Sequence, residues 1–491
     1  MGIGNGDAVP GTAISPDWRG ARQHHGWQVA FAALAILTLL LQFGFLSRGS
    51  LRTWDEALTA ERSREMLVTG DWITPHTNFE TDFNKPPLYY WLTAPLVAAV
   101  KDREWPPRFW SAAFAAGCVL FTALLAAGEN RDPRAALFAA LALLLNAAWL
   151  NKTREALLDS GTIFGALGAL YFLTIGRHAR LAWLWAGLLA AIGCMIKGPY
   201  PLLAWPCAII GNSGIGHRVW GMEKQRHGMP DRKLFRNSLL VAMTLTAPWY
   251  AIQFIHYGWA FPQRAFGYAI VERFATPIEG HTGGWLFYPA AWWREGAPSL
   301  ILFAAAIAFL AACAWRKKAI PNTPSPIPVL FLVTAAALLV SASKREAYLV
   351  YLLPGAAVLT GLAVANISRA KSFLLLPSSF ILAFILLPSS FILFRDYDRR
   401  LSHSDGSKKI AEEIVARRIP TESIAAIDAP RHAVLYYLDG QAPLIAGKSL
   451  DSLNIGSYAI VGKDARTTNG ALEPETILHA GELSLVRVQQ R

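Results

Sequence analysis

The chain has 491 residues, 53% of them hydrophobic and only 16% charged, with a mean hydropathy of +0.30. Repeated uncharged apolar runs of about 20 residues mark a helical membrane protein and exclude a soluble one, whose helices would alternate polar and apolar faces. The formal charge of +12 carries no aromatic-interleaved basic stripe, so nucleic acid is excluded as a partner and the excess is assigned to cytoplasmic loops.

Met1–Gly26 is Gly-rich and ends in Arg19, Arg22, His24 and His25, a basic flank that puts the N-terminus in the cytoplasm. Trp27–Ser47 lacks a small-residue cleavage site and reads as a retained first span rather than a signal peptide. The segment that follows, Trp54–Leu88, is too dense in chemistry for a plain connector. It holds the acid pair Asp55 and Glu56, the charged run Glu61–Glu65, and Lys85 set before Pro86 and Pro87. Carboxylates beside a membrane surface with a rigidly placed lysine suit chemistry on a charged lipid headgroup; a solvated loop held by two prolines is the alternative.

Pro87–Val100 decides the topology. At about 14 residues it falls short of the roughly 20 a span needs, and its Tyr89, Tyr90 and Trp91 suit the headgroup level. Taken as interfacial, it leaves Arg131, Arg134, Arg177, Arg180, the cluster from Arg218 to Arg236, and Arg316–Lys318 in the cytoplasm, as the positive-inside rule favours. Further spans are expected at 107–127, 134–150, 158–175, 180–196, 198–212, 237–256, 298–315, 327–342, 348–367 and 372–394, about eleven with the first. Cys118, Cys194, Cys207 and Cys313 lie in these apolar stretches as small core residues, not disulfides or metal ligands. The last span repeats LLPSSFIL at Leu375–Leu382 and Leu386–Leu393, an offset of three helical turns read as sequence duplication.

Beyond Phe394 the composition becomes that of a soluble chain. An amphipathic helix is expected at Lys408–Arg418, and strands at Ser423–Ile427, Tyr458–Val461 and Ser484–Val488. The fold class is therefore mainly α: a polytopic membrane domain with interfacial helices in its first outer loop, and a small soluble α/β domain. The expected division is 1–26, 27–395 and 396–491. Asp396-Tyr397-Asp398, an Asp-x-Asp without a Gly-rich nucleotide loop, reads as a charged juxtamembrane linker.

On this topology one side of the membrane collects Asp55, Glu56, Lys85, Lys152–Asp159, Lys197, the loop Tyr257–Ala297 and Ser343–Tyr348. A transporter would place ionisable groups near mid-membrane along a pathway. Concentration at one interface argues for an enzyme of the outer leaflet.

WDE after the first span, FNKPPLYYWL, and TREALLD at Thr153–Asp159 form an ordered set that resembles the polytopic glycosyltransferases using polyprenyl-phosphate sugars, the GT-C group that includes protein O-mannosyltransferases and lipid A aminoarabinose transferases. The likeness runs from the first span to about residue 365. It implies transfer of a sugar from a polyprenyl-phosphate donor to a lipid, glycan or protein of the cell envelope, with inversion, at the periplasmic face of a bacterial inner membrane. A related oligosaccharide ligase or oligosaccharyltransferase is the neighbouring alternative, and a lipid-linked-sugar transporter the alternative of another class.

By the same resemblance Asp55 is the catalytic base with Glu56 beside it, and Asp159 orients acceptor or sugar. Lys85, Arg273 in VERF, and Lys344 and Tyr348 in SKREAYLVYLLP face the donor phosphate. The residue-level alternatives are a helix-start acid for Asp159 and interfacial snorkelling or belt residues for the others. The chain has Asn84 and Ile270 where aminoarabinose relatives often carry Glu and His, so two potential metal ligands are missing. No cofactor or metal is expected to be required.

Overall fold

A computed structural model describes residues 18–51, 54–212, 231–277, 282–315, 326–370, 406–440, 443–447, 449–450, 453–462 and 472–490. The repeated LLPSSFIL span at 372–394 and Asp396–Asp398 lie outside them. The membrane part is built from α1 (Trp18–Phe43), α2 (Asp55–Thr69), α3 (Leu88–Ala99), α4 (Trp105–Ala127), α5 (Pro133–Leu144), α6 (Ala147–Thr153), α7 (Asp159–Leu173), α8 (Ala182–Ile196), α9 (Ala204–Asn212), α10 (Arg232–Tyr257), α11 (Phe287–Trp315), α12 (Pro326–Val340) and α13 (Leu353–Ala370). Each expected span up to residue 367 is therefore helical. The large core cluster joins α4, α5, α6, α7, α8 and α13 through side chains such as Phe138, Trp149, Leu167, Leu189 and Leu362.

The number of crossings is not fixed by helix length. Among the described residues four helices are long and apolar enough to cross a membrane by themselves: 26–43, 105–127, 232–257 and 287–313. The pair α5 and α6 makes a fifth if it counts as one span bent by 64°. The bend has a local cause: Asn146 ends the first helix and caps the second, its side chain accepting from the Trp149 N–H. α3 has 12 residues, about 18 Å at 1.5 Å per residue, short of the roughly 30 Å hydrocarbon core.

Two details depart from the sequence reading. Tyr89 and Tyr90 are not headgroup-level belts: both are fully buried, Tyr89 donating to the Pro107 carbonyl and Tyr90 accepting from Arg62. The stretch Tyr257–Ala297 is not an open loop. It holds a π-helical turn series at Gln263–Glu272, and α11 begins at Phe287 rather than at residue 298. The charged Arg294 and Glu295 hid that start, and Gly296 with Pro298 breaks the ladder where the sequence reading began the span.

α7 and α8 pack as close antiparallel neighbours. A side chain at Gly165 would come within 2.6 Å of the Leu189 carbonyl and 2.8 Å of Gly193 Cα, so only glycine lets the two backbones approach. This contact brings the N-terminus of α7, which carries Asp159, beside the C-terminus of α8, which carries Lys197. Each charge complements its helix dipole there.

The C-terminal region forms the sheet β4-β3-β5-β7-β6 from β3 (Ile424–Ile427), β4 (Ile445–Ala446), β5 (Tyr458–Gly462), β6 (Leu472–Ala480) and β7 (Leu483–Gln490). β3 pairs in parallel with β4 and β5, while β7 runs antiparallel to β5 and β6. The helices α14 (Ser407–Ala416) and α15 (Arg431–Leu438) pack on it through Ile410, Ile414 and Leu435. α15 docks on α2: Ala433 and Tyr436 close over Leu51, Ala57 and Ala60. Tyr437 accepts from the Leu51 N–H at 2.6 Å, and Arg64 donates to the Gly440 carbonyl at 2.6 Å. This cover helps to bury Glu61 and Arg64, while Asp82 and Tyr90 close over Arg62 and Glu65 accepts the Phe79 N–H.

Glu65 has a strongly perturbed carboxyl. Burial, and then the neighbouring Glu61, push it up to about 8 from the usual 4.5. The native protein thus holds a proton that the unfolded chain releases, so stability declines as pH rises from about 4.5 to about 8. Glu65→Gln, which cannot ionise, should flatten that decline; thermal unfolding at about pH 5 and about pH 8 measures it, and an unchanged slope contradicts the assignment.

Candidate active site

Asp55 opens α2, where an acid is favoured by the helix dipole, and its carboxylate is half-exposed. It accepts from Arg345 Nη2 at 2.5 Å. Arg345 lies just before the short 3₁₀ helix Glu346–Tyr351 that leads into α13. Burial pushes the Asp55 carboxyl up, but the Arg345 guanidinium, then Lys197 and Arg62, hold it below the usual carboxylate range. Asp159 accepts from Lys197 Nζ at 2.5 Å. Lys197 Nζ in turn sits 5.4 Å from the Tyr348 ring centre and 5.9 Å from that of Tyr351. Arg345 also feels Asp159. Two acids and two bases therefore form one array at the junction of α2, α7, α8 and the Glu346–Tyr351 turn.

The array adjoins a cavity of about 290 Å³, lined by Lys85, Asn84, Lys197, Tyr348 and the aromatic side chains of Trp249 and Phe266. Cations at one edge and aromatic walls behind them suit an anionic headgroup with an apolar tail. Lys85 is held by its neighbours. Asp82, three residues before it, accepts from Arg62 Nε at 2.9 Å and from Arg62 Nη2, and also from Thr77 Oγ1. Asp82 Oδ1 takes the Asn84 N–H at 2.9 Å. The strands β1 (His76–Thr77) and β2 (Glu80–Thr81) form the small hairpin that presents this segment. Arg62 sits two helical turns after Asp55 on the same helix, so the lysine segment and the acid are fixed to one scaffold.

Of the expected site residues, Asp55, Asp159, Lys85 and Tyr348 come together. Glu56 does not join them. It is 1% exposed, held by Arg108 Nε at 2.5 Å and Nη2 at 3.1 Å, and accepts the Ala156 N–H at 3.0 Å. Its place is structural, tying the loop before Asp159 to α2 and α4. Lys344 turns away as well: its Nζ donates to the carbonyls of Leu338, Leu339 and Ser341, each at 2.7 Å, and caps the end of α12. Arg273 begins the short helix Arg273–Ala275; its side chain is outside the described residues, while the adjacent Phe274 lines the cavity. Two residues in the array had no assigned role in the sequence reading. Lys197 stands at the end of the apolar run Ala182–Ile196, where no motif marks it, and Arg345 stands beside Lys344, which carries the resemblance. Among the described residues no three His, Cys, Asp or Glu side chains are grouped to hold a metal ion.

Residues 30–208 match the family described as dolichyl-phosphate-mannose-protein mannosyltransferase. Two undecaprenyl phosphate-α-4-amino-4-deoxy-L-arabinose arabinosyl transferases of Pseudomonas fluorescens Pf-5 are each 29% identical, over 68% and 70% of the chain. The crystal structure of ArnT from Cupriavidus metallidurans bound to undecaprenyl phosphate superposes with a TM-score of 0.70 at 18% identity, over 94% of this chain and 98% of that one. The chain is similar to the polyprenyl-phosphate-sugar glycosyltransferases in sequence and in fold. An archaeal oligosaccharyltransferase, from Archaeoglobus fulgidus, shares the glycosyltransferase fold more loosely, with a TM-score of 0.55 at 12% identity over 90% of this chain and 69% of that one. The chain spans 56% and 62% of the lengths of the two arabinosyl transferases. Like these glycosyltransferases it is a multi-pass membrane protein.

The array makes a prediction about pH. Arg345 is the largest influence lowering the Asp55 pKa. In Arg345→Gln burial is less opposed, the pKa rises, and the acid limb of the turnover–pH profile should move to higher pH. A limb that stays in place while the plateau falls would show that Arg345 acts otherwise.

Proposed function

We propose that the protein transfers a sugar from a polyprenyl phosphate to a hydroxyl or phosphate of a cell-envelope acceptor, with Asp55 as the base. The observation that carries this reading is the half-exposed Asp55, with its pKa held low, beside a lysine- and aromatic-lined cavity. The donor phosphate diester carries one negative charge and lies against Lys85 and Lys197, with Arg273 as a third contact. The acceptor oxygen attacks the anomeric carbon as its proton passes to Asp55. The anomeric carbon–oxygen bond breaks and its electron pair leaves with the phosphate. The second phosphate pKa is about 6, so the leaving group departs unprotonated and no general acid is needed. Lysine ammonium groups strengthen their hold as charge grows on the phosphate oxygens, which favours the transition state over the bound donor. A single displacement inverts the anomeric configuration. Asp159, held by Lys197, orients the sugar or acceptor. No divalent ion enters this scheme, and turnover should survive chelation.

The site faces the periplasm in this reading. The expected eleven-span topology favours that side for the site and for the expected domain 396–491, and the packing of Ala433 and Tyr436 on α2 agrees with the two sharing a side. The amino sugar named for the arabinosyl transferases is the donor to test first.

The decisive variant is Asp55→Asn, which keeps size and most hydrogen bonds but cannot take the proton. Turnover should drop at least about 100-fold with donor binding nearly unchanged. Product of retained configuration would reject the single displacement. The topology is checked on a cysteine-free background: a label on Glu412→Cys should react from outside intact cells and one on Asn130→Cys should not. Reaction of both from one side removes the periplasmic assignment.

A further inference from the structure

A second cavity, larger than the one at Lys85, lies away from this site. It is a groove of about 1100 Å³ between α1, α4, α5 and α7, lined by apolar side chains such as Phe31, Leu34, Val119 and Tyr171. Asp159 begins α7 and Tyr171 follows twelve residues on, about 18 Å along the helix, so the groove opens toward the opposite end of the bundle. Along α4 it extends from Ala116 to Ala127, about 17 Å, which matches the roughly 15 Å depth of one leaflet. One end is apolar near mid-membrane. The other closes on the turn between α4 and α5 at Glu129, Arg131 and His178.

That polar end is basic. Glu129 is paired with Arg177 at 3.1 Å, while Arg131 is exposed with no ion pair among the described residues, and Arg134 and Arg180 stand close by in sequence. α1 leans on the bundle across the groove with most of its apolar length outside the protein core. A gap of this kind in a bilayer fills with hydrocarbon, and the basic rim selects the headgroup.

We propose that this groove is a binding site for an anionic phospholipid of the leaflet at the Arg131 end, its acyl chains between α1 and α4 and its phosphate on Arg131. The lipid completes the packing of the first helix against the bundle. The site is separate from the cavity at Lys85, and the inference needs only that the helices lie in a membrane. It stands whether or not the glycosyl transfer proposed above is correct.

Native mass spectrometry on the full chain tests it, with phosphatidylglycerol and phosphatidylcholine of the same acyl chains supplied in equal amounts. One phosphatidylglycerol should be retained in preference. Arg131→Gln, on an exposed turn, should lower that preference about fivefold, the share of one basic residue near a membrane surface. Ala35→Trp, which fills the groove from the exposed side of α1, should remove the retained lipid of either headgroup. Equal retention of the two lipids by the wild type, a preference unchanged in Arg131→Gln, or displacement of the bound lipid by polyprenyl phosphate would each overturn the assignment. Should Ala35→Trp fail to fold, the Arg131→Gln comparison decides the matter alone.

Discussion

Arg62 joins the two halves of the site. It stands on the helix that begins with Asp55 and grips Asp82, which fixes the segment carrying Lys85. Removing one partner of such a buried pair leaves a charge without solvent, at a cost of about 3–5 kcal/mol, so the geometry is held by electrostatics as much as by packing. The same device recurs along α2. Glu56 with Arg108 ties the helix to α4, and Arg64 with Glu61 turns it toward the C-terminal domain. A helix whose charged run could pass for a solvated loop is in fact the interior frame of the site.

How much of this was legible follows from periodicity. Apolar runs announced the helices because about twenty uncharged residues have one physical reading. The acids at helix starts, Asp55 and Asp159, were legible for a related reason, since motif and dipole agree on them. Adjacent residues on a helix point about 100° apart, which already forbids Asp55 and Glu56 from sharing one role. Ser343–Arg345 has no period, so nothing in the sequence says which of Lys344 and Arg345 turns inward. Lys197 was hidden by its neighbours: a lone lysine after an apolar run resembles a snorkelling end residue, and only the close approach at Gly165 reveals its acid partner.

The C-terminal domain was half legible. Its short apolar strands at Ile424–Ile427 and Tyr458–Gly462 and the amphipathic α14 were expected. α15 was not, because RHAVLYYL is short and rich in residues that also favour strands. Yet α15 is the element that meets α2. It is thereby a cover for the charged face of the helix that carries Asp55, and its sheet stands behind that cover.

The four-charge array has a consequence in charge conservation. The formal charges of Asp55, Asp159, Lys197 and Arg345 sum to zero. In the proposed reaction the phosphate gains a negative charge as Asp55 gains a proton. The total inside the low-dielectric cleft is then the same before and after transfer, so no net charge has to be created where water is scarce. Only the later escape of that proton to solvent upsets the balance, and it does so with the spent phosphate still beside two lysines.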